Sequence, residues 1–304
     1  MKKILSLVAL ATALLFNGCS SGPSVDGAPE NVKTYLIGQY EDVATVESKL
    51  KAAGFDIVAT VAIGKKKVPN VIFTNAHIKS LANRPMRGLL AGEMRIFVNE
   101  ARKEIRVNNP LYFFKAFLQD EYKPGDEKPV IDALMTAFPS LTDTVMSKDS
   151  EGNDVDSNVD FYAYDGLAGY HYMIGMPYYH EQNVVGEAAT VAELVATLTK
   201  KAKKNLLYTI ELAPNRIVCG VRMGKRTSKY PKKIGDYKAG LMPWQILIEE
   251  KVVDGKTVAQ ATTLDAKYRI ALSYPLLSMV GEGSFAGIMT VPGAVEKDMK
   301  KYFK

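Results

Sequence analysis

The segment Arg95-Ile96-Phe97-Val98-Asn99-Glu100 is answered 150 positions later by Gln245-Ile246-Leu247-Ile248-Glu249-Glu250. Both read as strands, and the elements around them recur in the same order. Asp42 is a good N-cap before the apolar stripe Val43, Val46, Leu50, and Gly54 stops that helix. Its counterpart opens with the capping box Thr190-Val191-Ala192-Glu193 and turns Leu194, Val195 and Leu198 inward. Strands are predicted at 56–63 and 70–74 in the first half, and at 206–212 and 216–222 in the second. A basic turn, Lys65-Lys66-Lys67, joins the first pair, and a short helical stretch with Pro85 and Gly88 follows. Gly88-Leu89-Leu90 is matched by Gly240-Leu241-Met242. A strand at 104–107 completes a hairpin with 94–98, and helices follow at 111–118 and 130–138, matched by 266–272 and 295–303.

Each half therefore reads β-α-β-β-α-β-β-α, an internal duplication whose offset drifts as small loop insertions would make it. Hairpin-spaced strands with one or two covering helices predict an α+β fold, with two related two-layer sandwich domains built on largely antiparallel sheets. The expected organisation is a signal peptide at 1–18, a tether at 19–31, repeats at 32–145 and 161–304, and an acidic linker at 146–160. Paired copies in one chain would mimic a homodimer, so a monomer with an internal pseudo-dimer is expected.

Residues 32–140, and more faintly 161–304, resemble the family called domain of unknown function 302. The likeness lies in the helix from Asp42 to Gly54, in Val71-Ile72-Phe73-Thr74-Asn75-Ala76-His77, and in Val107-Asn108-Asn109-Pro110 before a helix. Many members carry a Cys-Asn-Pro-like triplet after the second strand, where this chain has Thr74-Asn75-Ala76. The resemblance implies a small α+β domain, sometimes in tandem; it implies no activity, and chemistry attached to that cysteine would be absent here.

The 304 residues carry Lys+Arg 39 against Asp+Glu 33, a net charge of +6. Two cysteines exclude a disulfide-dense scaffold and a four-cysteine zinc site. The N-terminus reads Met1-Lys2-Lys3, an apolar run from Ile4 to Phe16, then Asn17-Gly18-Cys19-Ser20. These are the proportions of an export signal, and the run is shorter than the roughly 20 residues of a membrane span. Gly18 before Cys19 resembles the bacterial lipoprotein lipobox, although Phe16 and Asn17 depart from its usual residues. That resemblance implies lipidation of Cys19, palmitate among the acyl chains, and cleavage before it. Ser20, in place of aspartate, implies the outer membrane, facing the periplasm. Cleavage removes Lys2 and Lys3, and the remaining basic excess is local: Arg222, Lys225, Arg226, Lys229, Lys232 and Lys233 have no acid among them. That loop is read as a solvated face or as a patch for an anionic lipid or protein partner. Nucleic acid is not expected in this compartment.

Six of the sixteen tyrosines fall within 161–180, at Tyr162, Tyr164, Tyr170, Tyr172, Tyr178 and Tyr179, with His171, Met173, Met176 and His180 among them. The segment reads as an aromatic ligand-binding or packing surface. The alternative is a Cu(I) site of His171, Met173, Met176 and His180, since imidazole and thioether suit a soft metal. Cys219, on the same strand face as Ile217 and Val221, reads as a buried thiol. His77, between a strand and a helix, is a cap, a packing residue or the base of a hydrolase or isomerase. Gly281-Glu282-Gly283-Ser284-Phe285-Ala286-Gly287 fits neither a phosphate loop nor a nucleophile elbow, and Asp149–Asp160 fails the EF-hand register. The sequence thus points to a lipid-anchored, periplasm-facing, non-enzymatic protein binding a ligand or partner, with no resident cofactor; copper handling is the alternative.

Overall fold

A computed structural model describes residues 34–63, 68–84, 91–118, 121–142, 182–224, 227, 230–234, 242–274, 280–281 and 283–304. It contains two five-stranded antiparallel sheets, and the chain is of the α+β class. In the first copy, β1 (Tyr35–Gln39) is followed by α1 (Val43–Ala52), β2 (Asp56–Ile63), β3 (Val68–Thr74) and α2 (Ala76–Ala82). Then come β4 (Met94–Asn99), β5 (Glu104–Asn108), α3 (Pro110–Leu118) and α4 (Lys128–Ala137). The second copy runs β6 (Gln182–Ala188), α5 (Val191–Ala202), β7 (Leu206–Ala213), β8 (Arg216–Val221), α6 (Pro231–Ile234), β9 (Trp244–Val253), β10 (Lys256–Leu264), α7 (Ala266–Ser273) and α8 (Val291–Lys300). The sheet orders are β1-β5-β4-β3-β2 and β6-β10-β9-β8-β7, so the first strand of each copy lies outside the last.

The caps form where the sequence places them. The Asp42 carboxylate accepts from Thr45 N at 3.0 Å, and the Thr190 hydroxyl accepts from Glu193 N at 3.2 Å while Glu193 reaches back to Ala189 N. Each occupies one of the orphan donors of a helix start. Asn75 caps α2 in the same way, through Ile78 N at 2.8 Å. Val46 and Leu50 of α1, and Leu194 and Leu198 of α5, are buried as their stripes predict. β1 and β6 are the opening strands of the β-α-β-β-α-β-β-α order, to which the sequence assigns no residue range, and the β9–β10 hairpin is turned at Asp254-Gly255, both at positive φ, as a type I′ turn requires.

Strand alternation separates two faces in each sheet. On the first sheet, Gly38 turns toward Ser140 and Leu141, beyond the end of α4. The opposite face carries Tyr35, Asn70, Arg95 and Arg106, and it meets the second copy. Asn70 donates to the Met242 carbonyl at 2.6 Å and Arg95 to the Pro243 carbonyl at 2.9 Å. Tyr112 and Tyr35 donate to the Leu272 and Ser273 carbonyls at 2.8 and 2.9 Å. Those two oxygens belong to the last turn of α7, which has no intrahelical donors for them; the first copy thus completes a helix of the second. Asn83, the C-cap of α2, is tied in both directions: its amide donates to Leu212 O, and its carbonyl accepts from Arg216.

Tyr208 enters this seam because Gly220, its cross-strand partner, has no side chain: a Cβ there would lie 2.0 Å from the tyrosine ring. Gly220→Ala is therefore expected to displace the ring and lower stability by about 1–3 kcal/mol. In a denaturation series, adding Tyr208→Ala should produce a further loss smaller than the same substitution produces alone.

Candidate functional site

The seam is polar to an unusual degree for a buried surface. Arg95, Arg106 and Arg269 are all buried, together with Glu93 and Glu104, although charges of this kind are seldom fully buried unless paired. Strand geometry explains how they arrive there. Glu93 and Arg95 are two residues apart at the start of β4, so both side chains take the same face; Glu104 and Arg106 repeat the arrangement on β5. Arg95 donates through Nε and Nη2 to Glu93 Oε1 at 2.8 and 2.5 Å. Its Nη2 also serves Pro243 O and approaches the Tyr208 hydroxyl at 3.5 Å. Arg106 donates to Glu104 at 2.9 Å, and Arg102 lies 3.4 Å from the same oxygen.

Arg269 comes from the other copy. Its helix is fixed by Asp265, which caps Lys267 N at 2.8 Å and accepts from Asn183 of β6 at 3.2 Å. One turn on, the Arg269 guanidinium lies over the Phe117 ring of α3, 5.4 Å from its centroid. It is 5% exposed and its Nη1 has no hydrogen-bond partner. Glu93 Oε2 and Gln245 Oε1 are likewise buried without partners. These groups line one cavity with Arg95, Asn108 and aromatic residues of α3, with about 10 Å³ open to the centre of a water molecule. That is room for about one water-sized occupant without movement of the walls.

The titration of these groups follows their surroundings. Burial and then repulsion from Arg95 pull Arg269 down to about 10. Burial also disfavours charge on Arg95, but Glu93 and Tyr208 outweigh it and the net shift is upward. Burial raises Tyr35 to about 12, despite three nearby arginines, and raises Tyr208 well above the ordinary tyrosine value with help from Glu93. The opposite shifts of Arg95 and Arg269 show which arginine has a carboxylate and which does not.

The residues singled out in the sequence fall elsewhere. Cys19, the tyrosines 162, 164, 170, 172, 178 and 179, and His171, Met173, Met176 and His180 lie outside the described residues, as do Lys225, Arg226, Lys229 and the 146–160 linker. Of the basic loop, Arg222 is exposed, Lys233 is exposed and donates to Gly287 O at 3.0 Å, and Lys232 belongs to α6. His77 Nε2 donates to the Asp126 carbonyl at 2.8 Å, tying α2 to the turn before α4. Ser284 is buried and its hydroxyl donates to Gly281 O at 2.6 Å. Cys219 is fully buried beside Thr209, and burial pushes its thiol up to about 11. Among the described residues, no three His, Cys, Asp or Glu side chains gather where they could hold a metal.

The sequence does not single out the seam charges: in β5, Glu104, Arg106 and Asn108 alternate with Ile105 and Val107, a pattern shared with a strand exposed to water on one face, and in β4 Arg95 stands alone as a charge before the apolar Ile96, Phe97 and Val98. Comparison with family models, curated proteins and solved structures finds no match for this chain.

Glu93→Gln should lower stability by about 3–5 kcal/mol, because it leaves Arg95 buried without its counter-charge, whereas Glu93→Leu with Arg95→Met should recover most of the loss. Urea denaturation of the single and double variants measures the difference. For Cys219, the folded value lies above the ordinary 9.0. Its contribution to stability is thus complete below pH 9 and lost as pH rises through about 11. A Cys219→Ala variant should show a flatter fall in stability across that window than the parent protein.

Proposed function

We propose that this chain is a lipid-anchored, periplasm-facing binding protein, without catalytic activity, whose ligand seat is the seam between its two sheets. The single observation that carries the reading is Arg269: a buried guanidinium from the second copy, its Nη1 without a hydrogen-bond partner, lining a cavity whose other walls come mostly from the first. A native seam completed by protein alone would leave no such donor, since an unsatisfied buried charged group costs several kcal/mol. A bound ligand supplies the missing partner. Among the described residues, His77 is engaged with a backbone carbonyl, Ser284 with another, and Cys219 lies beneath Thr209 at raised pKa. A thiol shifted this way is a poor nucleophile at neutral pH.

Anchoring rests on Gly18-Cys19 after the short apolar run. Diacylation of Cys19 would hold the protein at the outer membrane, at about 0.8 kcal/mol for each buried methylene, with residues 19–31 as a Ser- and Gly-containing tether.

The two parts are tested separately. The full chain expressed in a Gram-negative host should fractionate with membranes, and Cys19→Ala should move it to the soluble fraction; a variant still membrane-bound would remove the anchor from this reading. Native mass spectrometry of residues 20–304 purified from the periplasm should show a small retained adduct that Arg269→Met loses. An adduct-free spectrum would count against the seam as a ligand seat.

A further inference from the structure

The geometry points to a small monovalent anion as the occupant of the seam cavity, held by Arg269. This deepens the ligand-binding reading and rests on it. The argument is a balance of buried charge. The Glu93 carboxylate is taken by Arg95 and the Glu104 carboxylate by Arg106. Arg269 makes no ion pair among the described residues, so the seam holds three guanidinium groups and two carboxylates. One positive charge is left in a medium where water cannot screen it; burial first, and then repulsion from Arg95, disfavour its charged form. A single negative charge restores neutrality; a divalent anion would overshoot and meet Glu93 Oε2 across the same space.

Size and hydrogen bonding narrow the class. The open space suits one atom directly and a few heavy atoms after small shifts of the walls. Arg269, Gln245 and Asn108 line the cavity, Arg269 Nη1 has no hydrogen-bond partner, and a planar guanidinium suits a halide or the two oxygens of a small carboxylate. Glu93 Oε2 is an acceptor without a donor, which favours an anion that carries a proton of its own. Chloride, formate and bicarbonate are the probes that sample these requirements: bare charge, a two-oxygen headgroup, and a headgroup with a hydroxyl. The ring of Phe117 stacked on the guanidinium keeps the cation in place when the seat is empty.

The test is thermal unfolding of residues 20–304 at fixed pH and ionic strength, titrating each sodium salt against sodium sulfate. At least one of the three anions should raise the Tm saturably, by roughly 2–4 °C at ten times its Kd, and Arg269→Met should abolish the response. If that variant does not fold, Arg269→Gln, neutral and able to hydrogen-bond, should abolish it equally. The inference is overturned if no anion gives a saturable shift in the parent protein, or if the shift survives loss of the guanidinium. A retained neutral or cationic adduct that depends on Arg269, with no anion response, would overturn the anion class and leave the binding reading standing. Absence of both adduct and response would remove the two together.

Discussion

The contact on which the arrangement depends is the buried Arg95–Glu93 pair, because it binds one sheet to the other while satisfying itself. Arg95 donates to Glu93 through Nε and Nη2, and its Nη2 also reaches the Pro243 carbonyl and the Tyr208 hydroxyl of the second copy. Such a pair contributes little net stability, since desolvation of both ions offsets their attraction. Its consequence is geometric. A guanidinium with fixed donor directions accepts one placement of the opposing backbone, whereas an apolar seam would tolerate many. Around it, Tyr35, Tyr112 and Asn70 fix three further carbonyls of the second copy, so the register between the copies is specified by hydrogen bonds more than by packing.

Duplication makes this specificity intelligible. When the two β4–β5-type hairpins are aligned through Arg95 and Gln245, strand pairing places Arg106 against Thr262 and Glu104 against Gln260. The buried charges of the first sheet thus correspond to neutral residues in the second. A symmetric pair of first copies would bring arginine toward arginine, and like charges in a low dielectric repel strongly. The two halves are complementary: the first supplies Arg95 and Arg106, and the second supplies carbonyls, Arg269, Tyr208 and the glycine that admits that ring.

The fold was legible in the sequence where local chemistry and periodicity agree. Asp42 and Thr190 mark their helices through short-range hydrogen bonds, and the 56–63 strand is legible to the residue because turn residues bound it. The positions of β1 and β6, present only as the opening letter of the predicted order, were not legible because they are edge strands, whose meaning comes from distant partners: Tyr35 pairs with Asn108, and Asn183 with Thr263. The site escaped for a related reason. Nothing local distinguishes an arginine turned to solvent from one turned to a second sheet, and Arg95, Arg106 and Arg269 acquire their meaning only from what faces them. Aromatic density drew attention to 161–180, but the unsatisfied donor stands at Arg269, a residue with no motif around it.

Arg269 also shows why both copies are needed for a seat of any kind. Its helix begins at Asp265, the counterpart of Asn109 before α3; each caps the amide two residues on, at 2.8 and 3.1 Å. The two helices start alike, and four residues later one carries Arg269 where the other carries Phe113. In the first copy that position completes an aromatic cluster with Tyr35, Tyr112 and Phe117. In the second it sends a charge out of its own domain and onto that cluster. An apolar residue at 269 would have closed the seam as phenylalanine closes its own side, at no electrostatic cost. A guanidinium keeps the seam one charge short of neutral, which is a disadvantage to the empty fold and an advantage only when something negative occupies the gap.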